Sequence, residues 1–252
     1  MDPHLIWTAF RLPARWVESV FPRLYRALRR VGFLRSAYYL MGALIDIAAT
    51  RPGKFREMFD CEFASRRDPW NFGSPRERER LHRALDMLDT VRGGSRFRRA
   101  LEIGCAEGVF TELLAPRCES LLAVDITPIA LSRARERCRG QSNLSFAEWD
   151  FRSSASPGVF DLVVFMCVLE YFHWPSELRA ARTKTLSLVS PGGYLLLSNT
   201  RGTPPSEEAW WGRFLISGGK WINRFFGQHP ALRVVSSHTG ETCVHTLFRK
   251  VL

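Results

Sequence analysis

The stretch from Arg99 to Gly108, R-A-L-E-I-G-C-A-E-G, constrains this chain more than any other. Ala100, Leu101 and Ile103 read as a short buried strand. Gly104 and Gly108 mark a tight turn, and Val109 to Leu114 follows as a helix with Phe110, Leu113 and Leu114 on one face. Such a strand, turn and helix let backbone approach a ligand closely, because glycine has no Cβ and free N–H groups at a helix start favour negative charge. A nucleotide-like ligand is expected here. The dinucleotide pattern G-x-G-x-x-G is not met, since an acid, Glu102, precedes the first glycine and Ala106 follows it.

Beyond the loop the chain alternates. Leu121 to Asp125 reads as a second strand, and Thr127-Pro128 opens a helix with Ala130, Ala134 and Cys138 along one face. Leu144 to Trp149 is a third strand ending at Asp150-Phe151, and Phe160 to Phe165 is a fourth. Pro175 to Val189 is the next helix. Pro191-Gly192-Gly193 then turns into a fifth strand, Tyr194 to Ser198. Strand and helix in succession predict an α/β, Rossmann-like, mainly parallel sheet with helices on both faces. Val234 to Ser237 and Cys243 to Phe248 are expected to close it as an antiparallel C-terminal strand pair, with about 200 to 226 as an aromatic insertion holding Trp210, Trp211, Phe214, Trp221, Phe225 and Phe226. That insertion suits either a pocket roof or a local hydrophobic cluster.

Ligands of such sheets sit at the carboxyl ends of the strands, so the polar residues closing successive strands converge on one crevice. Asp125, about twenty residues past the glycine turn, can accept from both hydroxyls of a ribose. Asp150 can accept from an exocyclic amine, with Phe151 beside it to pack on a base, or it can simply cap a turn. Glu102, a carboxylate at the edge of a buried strand, needs a partner.

The flanks are less regular. Residues 1–60 form a basic, amphipathic helical arm, and 61–252 form the domain. Leu24, Leu28 and Val31 share one helical face while Arg23, Arg26 and Arg30 share another, and Pro13 and Pro22 break the pattern. The arm can dock on the domain or a second subunit, or lie against an anionic membrane surface; docking is the expectation. Cys61 to Gly73 is irregular, and its Asp68, Trp70 and Phe72 suit a lid or a packed linker. Ser74-Pro75-Arg76-Glu77 reads as a helix cap with its capping box, leading a stripe of Leu81, Ala84, Leu85 and Leu88.

Formal charge is +11, yet only four of the 36 basic residues are lysines, so the charge by itself does not argue for a charged partner. No aromatic nucleic-acid-binding module is evident. The six cysteines show no C-x-x-C pair and no clustered His/Cys set, so no metal is expected and a reducing cytoplasm fits. Leu5, Ile6 and Trp7 are interrupted too quickly for a cleavable signal, and the apolar run Ala37 to Ala49 contains Asp46 and is too short to span a bilayer.

Taken together, L-E-I-G-C-A-E-G at 101–108, V-D-I at 124–126, W-D-F at 149–151, F-D-L-V-V at 160–164 and S-P-G-G at 190–193 make residues 75 to 200 resemble the class I S-adenosylmethionine-dependent methyltransferases. D-P-W at 68–70, R-E-R at 76–78 and the run from Leu101 to Cys118 are similar to the nodulation protein S type, whose members methylate an amine on a chito-oligosaccharide. The resemblance implies S-adenosylmethionine as cofactor. Gly104 and the backbone of Cys105 would face its methionine part with Glu102 ordering the loop, Asp125 would take the ribose, and Asp150 and Phe151 the adenine. Gly108, Ile126 and Met166 are the remaining expected cofactor contacts. The acceptor is expected to be a small molecule or saccharide carrying an amine or hydroxyl, touched by Trp70, Trp210 and Trp211.

Methyl transfer from a sulfonium is an in-line displacement in which the enzyme mainly aligns the reactants and excludes water. One proton must leave the acceptor. Glu170, Tyr171 and His173 follow the fourth strand, and His173 titrates nearest neutral pH, which makes it the first candidate base. Where that family carries E-V-L-Y-Y, this chain has Cys167-Val168-Leu169-Glu170-Tyr171. RNA or protein methylation, a nicotinamide-dependent oxidoreductase and a non-catalytic nucleotide binder are the competing readings.

Overall fold

The computed structural model describes residues 55–152, 156–172, 175–201 and 218–251. The arm up to residue 54, His173, Trp210, Trp211 and Phe214 lie outside these. Seven strands form one sheet: β1 (Phe97–Ile103), β2 (Cys118–Asp125), β3 (Leu144–Glu148), β4 (Phe160–Met166), β5 (Val189–Thr200), β6 (Leu232–Thr239) and β7 (Cys243–Lys250). Their order is β3-β2-β1-β4-β5-β7-β6. The first five pair in parallel, while β7 runs antiparallel between β5 and β6. The order reverses at β1, so the carboxyl ends of β1 and β4 flank the crevice where such sheets take ligands.

Alternation along β1 shows how the sheet is covered. Leu101 and Ile103 enter a core with Phe165, Leu178, Leu195, Ile222 and Phe226, whereas Ala100 enters the opposite core with Leu81, Leu85, Leu88 and Leu114. Glu102 alternates onto the second face and is 1% exposed.

The helices are α1 (Phe55–Ser65), α2 (Pro75–Arg92), α3 (Val109–Leu114), α4 (Pro128–Arg137), α5 (Pro175–Leu188) and α6 (Gly219–Gly227). The expected arm boundary at residue 60 falls inside α1. Ser74 caps α2 by accepting from the Glu77 N–H at 3.3 Å. The capping box is not closed: the Ser74 N–H donates to the Asn71 carbonyl, and the Glu77 carboxylate accepts from Arg80 Nε at 2.8 Å. Among the described residues no helix is long and apolar enough to cross a membrane.

Two expectations change. β5 starts at Val189, and the Pro191-Gly192-Gly193 stretch is a bulge inside it, where the register with β4 jumps from Phe160↔Val189 to Leu162↔Tyr194. Proline cannot donate to the ladder, and Gly192 supplies the positive φ of 76° that the bulge needs. The described part of the aromatic insertion is α6, whose Ile222 and Phe226 are fully buried on the sheet, with Trp221 and Phe225 stacked at 5.8 Å and Arg182 over the Phe225 ring. There the hydrophobic-cluster reading holds.

Candidate functional site

A cavity of about 790 Å³ opens at the carboxyl ends of β1, β2 and β4, under α1 and the start of α2. Its floor is the glycine turn. Gly104 has φ 76°, and a Cβ there would stand 2.3 Å from Val168 Cγ2, so only glycine fits between the turn and the segment after β4. The N–H groups of Gly104 and Cys105 both donate to the Val124 carbonyl, at 2.8 and 3.0 Å. They therefore fasten the turn to β2 and are not free for an anion. Gly108 faces α4, where a Cβ would stand 3.0 Å from Ala134, and it does not line the cavity. Its glycine is explained by helix packing, which corrects its expected place at the ligand.

Glu102, Gly104, Cys105, Asp125 and Ile126 line one side of the cavity. Neither Glu102 oxygen has a well-formed hydrogen bond among the described residues. Burial pushes its carboxyl up to about 8; the nearby Thr111 hydroxyl pulls the other way, and Asp125 adds to the rise. Asp125 is raised by burial too, against two backbone hydrogen bonds: Oδ2 accepts from the Ala106 N–H and Oδ1 from the Thr127 N–H, each at 2.9 Å. One carboxylate thus joins the glycine turn to the start of α4, and each oxygen still has a lone pair for a ligand hydroxyl.

Asp150, Phe151 and Met166 line the cavity as well. Asp150 Oδ1 accepts from the Arg152 N–H at 2.8 Å, so it does cap its own turn, while its other oxygen has no such bond among the described residues. Phe151 is wedged edge-on among Trp149, Phe165 and Phe172, with one edge left at the cavity. The Trp149 Nε1 is buried there without a partner among the described residues.

The far side is aromatic and charged. Phe59 of α1 meets Trp70 and Tyr171 edge-on at 6.3 and 5.1 Å, and Phe63 meets Trp70 at 6.3 Å. Asp68, with φ 52°, accepts from the Phe72 and Gly73 N–H groups and so shapes the turn that carries Trp70 and Phe72 to the cavity wall. Arg133 donates to the Phe63 and Arg66 carbonyls and pairs with Glu107, which fixes the C-terminal end of α1 over the glycine turn and suits the helix dipole. Glu170 and Tyr171 form the short turn after β4. Glu170 Oε2 accepts from the Thr200 N–H at 3.0 Å, and burial raises its pKa.

Arg80 was not foreseen. It is 8% exposed and lines the cavity, with Nε on Glu77 and Nη1 on Ser198 (3.4 Å) and Cys167 Sγ (3.7 Å). Nη2 is left without a hydrogen-bond partner among the described residues. Cys167 takes a left-handed φ of 58°, its N–H donating to the Ser198 carbonyl at 2.7 Å. Non-glycine residues in that region are held there by their surroundings and concentrate at functional sites. One signal could have found Arg80: it stands four residues before Ala84, on the helical stripe of Leu81, Ala84, Leu85 and Leu88 that α2 buries.

The sequence model of the family Nodulation protein S (NodS) matches residues 52–215, well over half of the chain. The chain belongs to the NodS family. It is 38% identical to nodulation protein S of Rhizobium tropici over 135 residues, which cover 53% of this chain and 56% of that protein. The chain thus spans little more than half the length of this curated relative. The crystal structure of N-methyltransferase NodS from Bradyrhizobium japonicum WM9 in complex with S-adenosyl-L-homocysteine is similar with a TM-score of 0.65 and 29% identity, covering 77% of this chain and 97% of that one. The ubiquinone biosynthesis O-methyltransferase of Methylococcus capsulatus is 35% identical over 105 residues, 40% of this chain and 43% of its own.

Proposed function

We propose that this chain is an S-adenosylmethionine-dependent methyltransferase acting on an amine or hydroxyl of a small molecule, with a saccharide the favoured acceptor class. The observation that carries the reading is that the buried acids Glu102 and Asp125 and the Nη2 of Arg80, without a partner among the described residues, line one cavity. The NodS relative bound to S-adenosyl-L-homocysteine supports the same reading.

The side chains fit the charge pattern of that cofactor. Glu102 is a buried carboxyl short of a donor, which an ammonium would satisfy, and Arg80 offers N–H groups to a carboxylate. Asp125 has lone pairs for a ribose diol. Asp150 and the edge of Phe151 suit an adenine. When bound, S-adenosylmethionine supplies a methyl carbon already activated by a positive sulfur. The protein has to align the acceptor and keep water out, and the wall of Phe55, Phe59, Phe63 and Trp70 does the second.

Glu170 is the proposed base. Its support is its place on the cavity wall, its fixed orientation through Thr200, and a pKa raised by burial, which makes its carboxylate a stronger base. Tyr171 stands beside it, and His173 lies outside the described residues. Calorimetric titration of the full chain with S-adenosylmethionine, S-adenosyl-L-homocysteine and NAD tests the cofactor. The first two should bind and NAD should not; binding of NAD alone, or of none of the three, overturns the proposal.

A further inference from the structure

Three walls of the cavity meet at one side chain that the reading above does not use. Arg152 follows Asp150 and Phe151 directly, and its N–H donates to Asp150 Oδ1. Its guanidinium lies between two rings, 4.0 Å from the centre of Phe55 in α1 and 4.1 Å from that of Phe172. Nη2 donates to the Tyr171 carbonyl at 2.9 Å, while Nε is buried with no partner among the described residues. This half-buried cation has two ring faces and one carbonyl in place of part of its water, and burial lowers its pKa, with Glu177 and Asp150 opposing. A methionine would fill the same space without that desolvation cost, so packing alone does not account for an arginine here.

We infer that Arg152 is a positioning residue that fixes the Phe55–Ser65 helix and the Leu169–Tyr171 turn against the strand-end loop carrying Asp150 and Phe151. Through the turn it sets where Tyr171 and Glu170 stand relative to the base-binding side of the cavity. The inference rests on the proposed cofactor site for its consequence in binding, and on the guanidinium geometry alone for its consequence in local order.

The test uses the full chain, Arg152→Met and Arg152→Lys, with S-adenosyl-L-homocysteine as the probe. Hydrogen exchange is followed at residues 55–65 and at the Tyr171 and Phe172 amides, which donate to Val168 and Leu169. Arg152→Met should exchange about tenfold faster in these two segments with β1 and β4 unchanged, and should release the probe about tenfold faster. Arg152→Lys, which keeps a cation between the rings, should recover part of both effects. Unchanged exchange in the two segments, equal acceleration across the whole sheet, or no recovery by lysine overturns the inference. Should Arg152→Met fail to fold, Arg152→Lys against wild type is read at the same amides: acceleration confined to the two segments supports the inference, and none overturns it. Failure of the wild-type chain to bind the probe removes the methyltransferase reading and leaves the exchange comparison in the free protein standing.

Discussion

Replacing Glu102 by glutamine should change how stability depends on pH more than stability itself. In the folded chain burial holds this carboxyl protonated up to about pH 8, whereas in the unfolded chain it ionises near its ordinary value of 4.5. Between those values the native state binds more protons than the unfolded one, so stability falls as pH rises, by about 1.4 kcal/mol per unit. At pH 7 the cost is on the order of 3 kcal/mol, and above pH 8 the slope vanishes. Glutamine cannot ionise, but it adds two N–H donors to a place already short of partners, at roughly 1–3 kcal/mol whatever the pH. The variant should therefore lie below wild type at pH 4.5 and gain on it steadily as pH rises. Urea unfolding followed by tryptophan fluorescence at pH 5.5, 6.5 and 7.5 measures the difference, which should move by about 1.4 kcal/mol per unit. A difference constant to within about 0.5 kcal/mol over that range would refute the argument. The same proton reports on the ligand. An ammonium docked beside Glu102 favours the carboxylate, so binding of S-adenosyl-L-homocysteine to wild type at pH 6.5–7.5 should release close to one proton, seen as a heat that varies with the buffer, and Glu102→Gln should not.

Asp125→Ala should weaken S-adenosylmethionine by about 1.5–3 kcal/mol, roughly tenfold to a hundredfold, because the ribose loses its acceptor and the glycine turn loses its tie at Ala106; unchanged calorimetric affinity in a folded variant speaks against the assignment. Ala106 sits at φ 47°, which costs alanine about 1–2 kcal/mol against about 0.4–1 kcal/mol that glycine would lose in the unfolded chain, so Ala106→Gly should raise stability by up to about 1.6 kcal/mol in urea titration, and a loss would be the contrary result. His245, on β7, is 2% exposed, and burial with the Arg80 charge beyond it pushes its pKa down to about 3. It stays neutral while the unfolded chain is protonated below its ordinary 6.5, so its contribution is whole above that pH and declines by about 1.4 kcal/mol per unit below it. His245→Gln should flatten the limb between pH 6.5 and 4.5, and parallel profiles would show that His245 does not titrate there.

The parts of this fold that could be read in advance are those encoded by neighbours in the chain. The turn at Gly104, the acids closing β1 and β2, the cap at Ser74 and the alternation that makes the sheet parallel all depend on residues within a few positions of one another. Asp125 could be placed on the cavity wall because a strand end fixes its address, and its bonds to Ala106 and Thr127 show that it also builds the glycine turn. What escaped is made by distant segments. Arg80 matters because Ser198 of β5 and Cys167 after β4 come to it from 118 and 87 positions away in the chain. Arg152 matters because Phe55 and Phe172 close on it from opposite sides. Arg80 does stand four residues before Ala84 on the buried stripe of α2, but nothing beside Arg152, in a chain with 36 basic residues, sets it apart from the arginines left at the surface. Gly108 is the converse case: it stands beside the turn at the cavity, but its lack of a Cβ serves Ala134 of α4. Burial decides these cases: an arginine half-buried between rings, or buried beside a thiol and a hydroxyl, becomes part of the cavity wall through contacts that lie far off in the sequence.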